Sequence, residues 1–132
     1  RTIQQVLPAL KMAESSSIVL FSTVAVQNGF NFHSQISASK GAVEGLTRSL
    51  AAEFAPKIRV NCIAPSLTDT PLASKLLNSE SKREANAERH PLKRVGQAED
   101  MASMAHFLLS DKSSWITGQV FPVDGGLSSI RS

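Results

Sequence analysis

A helical pattern at residues 36–54 determines what the rest of the chain can fold around. Apolar side chains recur three and four positions apart and form one stripe along a helix: Val43, Leu46, Leu50 and Phe54. Small side chains form a second stripe on another side: Ala38, Ala42, Gly45, Ser49 and Ala52. The pattern therefore predicts a helix that buries one face on a sheet and the other on a partner, and Pro56 ends it.

Two apolar runs, one on each side of this helix in the sequence, predict parallel strands. The first, at residues 18–21, is short, uninterrupted and rich in β-branched residues, and the second spans residues 58–64. Runs of this kind are typical of strands that are covered on both faces of a parallel sheet. The chain is therefore expected to form an α/β fold.

The composition predicts a single globular domain over residues 1–132, since 42% of the residues are hydrophobic and 19% are charged. No apolar run approaches the roughly 18 residues that span a bilayer, so we expect no membrane segment and a cytoplasmic location. The single cysteine, Cys62, excludes a disulfide and a Cys-rich zinc site, and its apolar context predicts an inert buried thiol. The net charge is +3, but the basic residues are scattered and only 5% of residues are aromatic, so no nucleic-acid partner is expected.

Positions 36 and 40 lie four residues apart and therefore stack on one face of the predicted helix. The segment Ile36-Ser37-Ala38-Ser39-Lys40 resembles the Tyr-x-x-x-Lys active-site helix of the short-chain dehydrogenase/reductase family. In that family the tyrosine gives or takes the proton, while the lysine lowers the tyrosine pKa and holds the nicotinamide ribose. The resemblance implies a catalytic role for Lys40. Ile36, however, has no proton to give, and the chain contains no tyrosine.

Thr23 lies thirteen residues before Ile36, where the family usually has its catalytic serine. A threonine hydroxyl can make the same hydrogen bonds as serine, and open α/β sheets place their ligands after strands such as the first one. The resemblance thus implies that Thr23 lines the catalytic site, although such a residue is ordinarily part of a turn or cap. His33, three residues before Ile36, is a candidate replacement acid, but a loop histidine need not point inward.

The loop after the second strand is similar to the family's Asn-x-Ile-x-Pro-Gly-x-Val-x-Thr segment, which closes one wall of the cofactor site. Asn61, Pro65 and Thr70 match it, whereas Ser66 stands where glycine is usual and would be strained if a glycine conformation were required. The resemblance implies that Pro65, Ser66, the backbone near Thr68, the Thr70 hydroxyl and the lysine of the helix contact NAD or NADP. A purely structural strand-to-helix turn, capped by one of its own polar residues, is the alternative.

The remaining blocks also follow the family's order. Residues 72–94 are rich in charges and poor in large apolar side chains, and they correspond to the family's variable substrate-binding lid, so they name no substrate. Residues 90–100 resemble its Pro-Leu-x-Arg-x-Gly-x-Pro-Glu-Asp signature, and residues 115–126 resemble its Thr-Gly-Gln-x-x-x-Val-Asp-Gly-Gly ending. Residues 120–123 are then the final strand, on an edge because Pro122 lacks a donor. Trp115 is expected to pack against the fold.

The resemblance covers essentially all of the chain but only the C-terminal half of the family's fold. It implies a partial Rossmann-like, doubly wound sheet with about three parallel strands and four helices. The strands are expected near 18–22, 58–64 and 120–123, and the helices near 2–13, 38–55, 71–77 and 99–110. The glycine-rich turn of the N-terminal dinucleotide-binding half is absent, so we expect a truncated chain that binds NAD or NADP poorly or not at all.

Three functions remain open from the sequence. The first is an NAD(P)-dependent oxidoreductase that transfers hydride to or from a small carbonyl or alcohol substrate, with another group or water in place of the tyrosine. The second is a catalytically inactive family member that acts as a cofactor-sensing or scaffold subunit, which Ile36 and Ser66 favour. The third is an oligomerisation module, which the retained Lys40, Asn61 and Thr70 disfavour. In each case the exposed apolar surfaces predict a homo-oligomer, a dimer or tetramer, built on the helix at 38–55 and the last strand.

Overall fold

The computed structural model describes residues 1–130 as an α/β domain. Its helices are α1 (Thr2–Met12), α2 (Ala25–Asn28), α3 (Ser34–Phe54), α4 (Glu80–Glu88) and α5 (Ala98–Leu109). Its strands are β1 (Ser16–Phe21), β2 (Ile58–Pro65), β3 (Thr68–Asp69), β4 (Gly96–Gln97) and β5 (Val120–Val123). Two 3₁₀ turns, Pro71–Leu76 and Asp111–Ser113, lie after β3 and α5. None of the helices in this described part of the chain is long and apolar enough to cross a membrane.

The three longer strands form one parallel sheet in the order β1-β2-β5, which confirms the predicted fold class. Ser16 of β1 lies opposite Ile58 of β2, and Cys62 of β2 lies opposite Val120 of β5. The strand with Pro122 is at an edge, as expected for a residue without a donor. The central strand, β2, is buried along residues 58–64 and carries the core.

A second, two-stranded sheet joins β3 to β4, with Thr68 opposite Gly96. The sequence did not predict these strands, because two residues leave no periodic pattern. It also missed α2 and α4, and it placed a helix at 71–77 where the chain forms a 3₁₀ turn. The signal for α4 was present: the Ser79 hydroxyl caps it by accepting a hydrogen bond from the Lys82 backbone N–H at 3.3 Å.

The face of α3 that packs on the sheet coincides only in part with the predicted apolar stripe, since Phe54 is buried and Leu50 packs against the core. Its buried residues are Glu44, Thr47, Ala51 and Phe54. Leu46 of the predicted stripe is 45% exposed. Two polar side chains can be buried here because both are hydrogen-bonded: Ser22 Oγ donates to Glu44 Oε1 at 2.7 Å, and Thr47 Oγ1 donates to a backbone carbonyl of its own helix at 2.8 Å. The small-residue stripe is exposed, so its partner remains a prediction.

Buried polar side chains on β2 fasten the loops that follow α5. Arg59 donates three hydrogen bonds of 2.7–3.1 Å to the last turn of that helix and the residues after it. Asn61 donates to the Ile116 carbonyl at 2.9 Å and accepts from the Gln119 backbone N–H at 3.1 Å. Asn61 therefore serves the fold, and its presence no longer argues against a purely structural role for the chain.

Two single residues test the predictions about packing. Cys62 is completely buried and unpaired, and burial raises the pKa of its thiol, which agrees with the predicted buried cysteine.

Trp115 was expected to pack, and this prediction is wrong for the single chain: the side chain is 99% exposed. It lies in the turn that leads from the second 3₁₀ turn towards β5, where the chain runs over the surface.

Candidate active site

The candidate site lies where β1 and β2 end. Two backbone hydrogen bonds tie the segments that leave these strands: Ser22 N donates to the Ile63 carbonyl at 2.7 Å, and Val24 N donates to the Pro65 carbonyl at 3.1 Å. The residues that follow, Thr23 and Ser66, therefore come out of the sheet side by side. This is the carboxyl edge of a parallel sheet, where α/β proteins bind ligands.

A first cavity of about 390 Å³ opens at this edge. It brings together four residues that the sequence had singled out: Thr23, His33, Ile36 and Ser66. His90 also lines it, so the cavity contains two histidines and two hydroxyls. The sequence gave no signal for His90, because its ligand-facing position depends on how the segment after α4 folds back on the loop after β2.

A second cavity of about 470 Å³ lies on the other side of the same residues. All four loop residues that the resemblance assigned to a cofactor line it: Pro65, Ser66, Thr68 and Thr70. Thr23, Ser66, Leu67 and Leu76 line both cavities and so mark their junction, and Thr23 and Ser66 are the two that carry hydroxyls. A group bound in the second cavity and a group bound in the first would meet at these two hydroxyls.

Lys40 is held at the end of β1. Its ammonium Nζ donates to the Phe21 carbonyl at 3.0 Å, two residues before Thr23, and Lys40 does not line either cavity. Ile36 stands one turn earlier on α3 and does line the first cavity. The structure thus places the predicted lysine beside the site rather than in it. An ammonium has three donors, and the Phe21 carbonyl uses one of them.

The hydroxyls of the loop after β2 are turned towards their own backbone. Thr68 Oγ1 donates to the Ser66 carbonyl at 3.0 Å, and Thr70 Oγ1 lies 3.5 Å from the Thr68 carbonyl. Thr70 is the N-cap residue of the 3₁₀ turn, although its side chain makes no capping hydrogen bond. The loop therefore has the form of the structural turn that was the alternative, while its residues still line the second cavity.

Ser66 is accommodated without the strain that the sequence suggested. Phe32 and Lys93 are the two non-glycine residues with a positive φ among residues 1–130, so Ser66 does not occupy the conformation that favours glycine. Its hydroxyl lies 2.9 Å from Nε2 of His90. Nδ1 of the same imidazole lies 2.8 Å from the Asn86 carbonyl oxygen, and His90 is only 4% exposed.

Acidic and basic groups surround the far side of His90, where a third cavity of about 310 Å³ contains Arg94, Asp100 and Asp124. Burial raises the pKa of Asp124, but hydrogen bonds from Ser128 and Gly126, with the nearby His90, outweigh it and leave the pKa lowered. Hydrogen bonds from Arg94 and from the Gln97 backbone lower the pKa of Asp100 to about 2. Both carboxyl groups are therefore ionised at neutral pH.

The second cavity fits one end of a nicotinamide dinucleotide. Pro65 and Met101 offer apolar surfaces to a flat ring, and the threonine hydroxyls can meet a ribose or an amide. Within residues 1–130 no glycine-rich turn leads from a strand into a helix N-terminus, which is the arrangement that receives the pyrophosphate. The residues present fit the nicotinamide end, but residues 1–130 do not include a glycine-rich turn that would bind the pyrophosphate.

Comparison with known proteins agrees with this geometry. The model of a family described as enoyl-(acyl carrier protein) reductase matches residues 1–128. A tropinone reductase homolog of Arabidopsis thaliana is 44% identical over 122 residues, which are 92% of this chain and 47% of that protein. The 3-oxoacyl-(acyl-carrier-protein) reductase FabG of Thermotoga maritima is 42% identical over 125 residues, 94% of this chain and 50% of that protein. The chain thus spans about half the length of these curated relatives.

Solved structures also superpose on nearly the whole of this chain. The ligand-free aldohexose dehydrogenase of Thermoplasma acidophilum superposes with a TM-score of 0.90 at 34% identity, over 98% of this chain and 56% of that one. The gluconate 5-dehydrogenase of Burkholderia cenocepacia in complex with NADP and tartrate superposes with a TM-score of 0.89 at 29% identity. The superposition covers 98% of this chain and 51% of that one. The chain belongs to the short-chain dehydrogenase/reductase family, with Ile36 at the position of the active-site tyrosine.

Proposed function

We propose that the protein is an NAD(P)-dependent oxidoreductase that transfers hydride to or from a small carbonyl or alcohol substrate. The observation that carries the proposal is the junction of two cavities at Thr23 and Ser66. One cavity is lined by the loop residues that the family uses for its cofactor, and the other has room for a small organic molecule. The named relatives, which include reductases and sugar or sugar-acid dehydrogenases, support the same class of substrate.

The residues of this chain would do three things in that reaction. A bound nicotinamide would supply or accept the hydride. The Thr23 hydroxyl at the junction would donate a hydrogen bond to the substrate oxygen, where negative charge develops. Lys40 has two ammonium donors left for a ribose, and Thr70 offers a further hydroxyl to the cofactor side. Phe30 and Ile36 would exclude water from the substrate.

The Thr23 hydroxyl gives the test of this proposal, carried out on the full natural chain that contains these residues. NADH and NADPH oxidation is followed with a panel of aldehydes, ketones and oxo acids. We expect Thr23→Val to lower kcat by about 100-fold, because it removes a hydrogen bond to the developing charge without changing the side-chain shape. Thr23→Ser is the matched control and should keep most of the activity. Equal activity of Thr23→Val and the parent protein would contradict the proposed role.

A second candidate function, a catalytically inactive cofactor-sensing or scaffold subunit, is favoured by one observation. Ile36 presents an apolar, 41% exposed side chain to the first cavity where the family has a tyrosine. Such a protein would bind NADH or NADPH, as followed by nicotinamide fluorescence, without oxidising either with any of the carbonyl compounds. That pair of results would replace the enzyme proposal with this one.

The proposal also includes a cytoplasmic homo-oligomer, a dimer or tetramer. The exposed small residues of α3 support the oligomer, since five of them form one side of a 21-residue helix that nothing covers within residues 1–130. Cell fractionation tests the location, and light scattering tests the assembly.

A further inference from the structure

Ser66 and His90 form a hydroxyl–imidazole pair at the centre of the candidate site. The Ser66 Oγ and the His90 Nε2 lie 2.9 Å apart, and they come from segments 24 residues apart in the sequence. Ser66 is half-buried, and His90 is 4% exposed. A histidine this far from solvent, with both ring nitrogens in hydrogen bonds, is held in one orientation.

The second nitrogen fixes the direction of the hydrogen bond. His90 Nδ1 lies 2.8 Å from the Asn86 carbonyl oxygen, which can only accept, so Nδ1 carries a proton. In the neutral ring Nε2 is then the acceptor, and the Ser66 hydroxyl donates to it. In the protonated ring Nε2 donates to Ser66 Oγ, and the hydroxyl proton of Ser66 is free to point elsewhere.

Ser66 stands where the first and second cavities adjoin. Ser66 lines both of them together with Thr23, whereas His90 lines the first cavity and the third. A substrate oxygen at the junction would thus have the Thr23 and Ser66 hydroxyls as neighbours, with the imidazole behind Ser66. No tyrosine competes for this role, since the chain has none.

We propose that Ser66 and His90 replace the missing tyrosine as the proton donor for carbonyl reduction. As hydride forms the new C–H bond at the carbonyl carbon, the C=O π electrons move to oxygen. That oxygen takes the Ser66 hydroxyl proton, and Ser66 takes the Nε2 proton of His90. His90 is left neutral and regains its proton from water. In alcohol oxidation the same protons move in the opposite direction.

This step rests on the proposed oxidoreductase function and names its acid. Charged groups lie around His90: the Asp124 carboxylate follows β5, and Asp100 lies across the third cavity with its partner Arg94. Arg89 and His33, at the first cavity, are the other titratable groups on that side. Because the protonated ring is the acid in this step, carbonyl reduction should slow at high pH, where the imidazole has lost that proton.

The kinetic test compares the three histidines of residues 1–132, each changed within the full natural chain. His90→Gln should lower kcat for carbonyl reduction by about 100-fold and remove the fall of kcat at high pH. His33→Gln, in the same cavity, should keep that fall, and His106→Gln, on the exposed side of α5, should leave both unchanged. A fall that survives in His90→Gln but disappears in His33→Gln would overturn the proposal.

Ser66 provides a second set of variants that does not disturb a buried ring. Ser66→Ala removes the hydroxyl and should cost about the same factor in kcat as His90→Gln, since the relay is broken in either case. Ser66→Thr keeps the hydroxyl and should recover at least a tenth of the parent rate. If Ser66→Ala matches the parent protein in rate and in pH profile, the proposal is wrong even where His90→Gln does not fold.

A measurement without cofactor separates this proposal from the proposed function. Proton–nitrogen correlation spectra of the imidazoles should show neutral His90 protonated on Nδ1, and Ser66→Ala should change the Nε2 chemical shift of His90 but not that of His106. A neutral His90 protonated on Nε2 would overturn the pair whatever the activity. Unchanged turnover in His90→Gln and Ser66→Ala would contradict the Ser66–His90 proton donor but not the oxidoreductase function. A parent protein that transfers no hydride at all would contradict both proposals.

Discussion

At the scale of single residues, the unusual feature is an isoleucine where the family has its acid. Ile36 and Lys40 share one face of α3, but they do not form a catalytic pair: the ammonium is bonded to the Phe21 carbonyl, and the isoleucine is part of the cavity wall. Thr23 and Ser66 are the groups at the junction that can donate protons or hydrogen bonds to a substrate. In the proposed mechanism the proton source therefore lies on the loop after β2 rather than on the helix.

Restoring the tyrosine tests this shift. Ile36→Tyr places a phenol in the first cavity one turn from Lys40, so it should rescue carbonyl reduction in a His90→Gln background by about 10-fold or more. Ile36→Phe has nearly the same shape without the hydroxyl and should give no rescue. Steady-state rates of the two double variants measure the difference. Equal rates would mean that the position does not reach the substrate oxygen.

At the scale of elements, α3 shows both what a periodic pattern predicts and where it fails. The helix was predicted with its C-terminal bound nearly correct, because Pro56 and the apolar spacing are local signals. Its buried face was predicted only in part: Phe54 is buried as expected, but the sheet also accepts Glu44 and Thr47 because their hydrogen bonds are made. The hydrogen-bond partners of Glu44 and Thr47 lie on another element or within the helix, and the spacing of apolar residues does not predict them.

The other face of α3 carries a prediction about assembly. A Cβ built at Gly45 meets nothing within 4 Å, and the small residues around it are exposed. Gly45→Arg should therefore leave the fold of each chain intact and block self-association, giving a smaller mass by light scattering and an unchanged circular dichroism spectrum. Ala85→Arg, on the exposed surface of α4, is the control and should keep the parent mass. A monomeric parent protein, or an assembled Gly45→Arg variant, would contradict this role of the helix.

The N-terminus of α5 gives a pH-dependent prediction. Asp100 accepts from the Gln97 backbone N–H at 2.7 Å within a capping box and pairs with Arg94, and its pKa falls from 3.8 to about 2. A pKa that is lower in the folded state stabilises the protein above pH 3.8, and this contribution is lost as the pH falls from there to about 2. Asp100→Asn should thus lower the free energy of unfolding by about 1 kcal/mol at pH 6.

Urea denaturation at several pH values checks this expectation. The difference between the parent protein and Asp100→Asn should shrink as the pH is lowered from 3.8 towards 2, because the Asp100 carboxylate is then protonated first in the unfolded chain and finally in the folded one. Glu99→Gln, next to it and outside the capping box, should show no more than a small, pH-independent change. A constant difference for Asp100→Asn would mean that the carboxylate charge contributes nothing.

At the scale of the whole molecule, the sequence predicted the parallel sheet, its edge strand and the family, since these depend on local runs and on blocks in a fixed order. It also named Thr23 and Ser66, which the folded chain brings to one junction. It did not predict that Trp115 is exposed or that Lys40 lies outside the cavities. Nor did it find His90, whose role depends on a contact across 24 residues that leaves no pattern in the sequence.

The most direct test of hydride transfer at this site follows deuterium from the cofactor to the product. The full natural chain is incubated with carbonyl substrates and either NADH or NADPH that carries deuterium at the reactive carbon of the nicotinamide. With both hydrogens at that carbon replaced by deuterium, hydride transfer from either face gives an alcohol that carries deuterium on its carbinol carbon, in an amount equal to the cofactor oxidised. Cofactor that stays reduced, or an alcohol without the label, would contradict hydride transfer at this site.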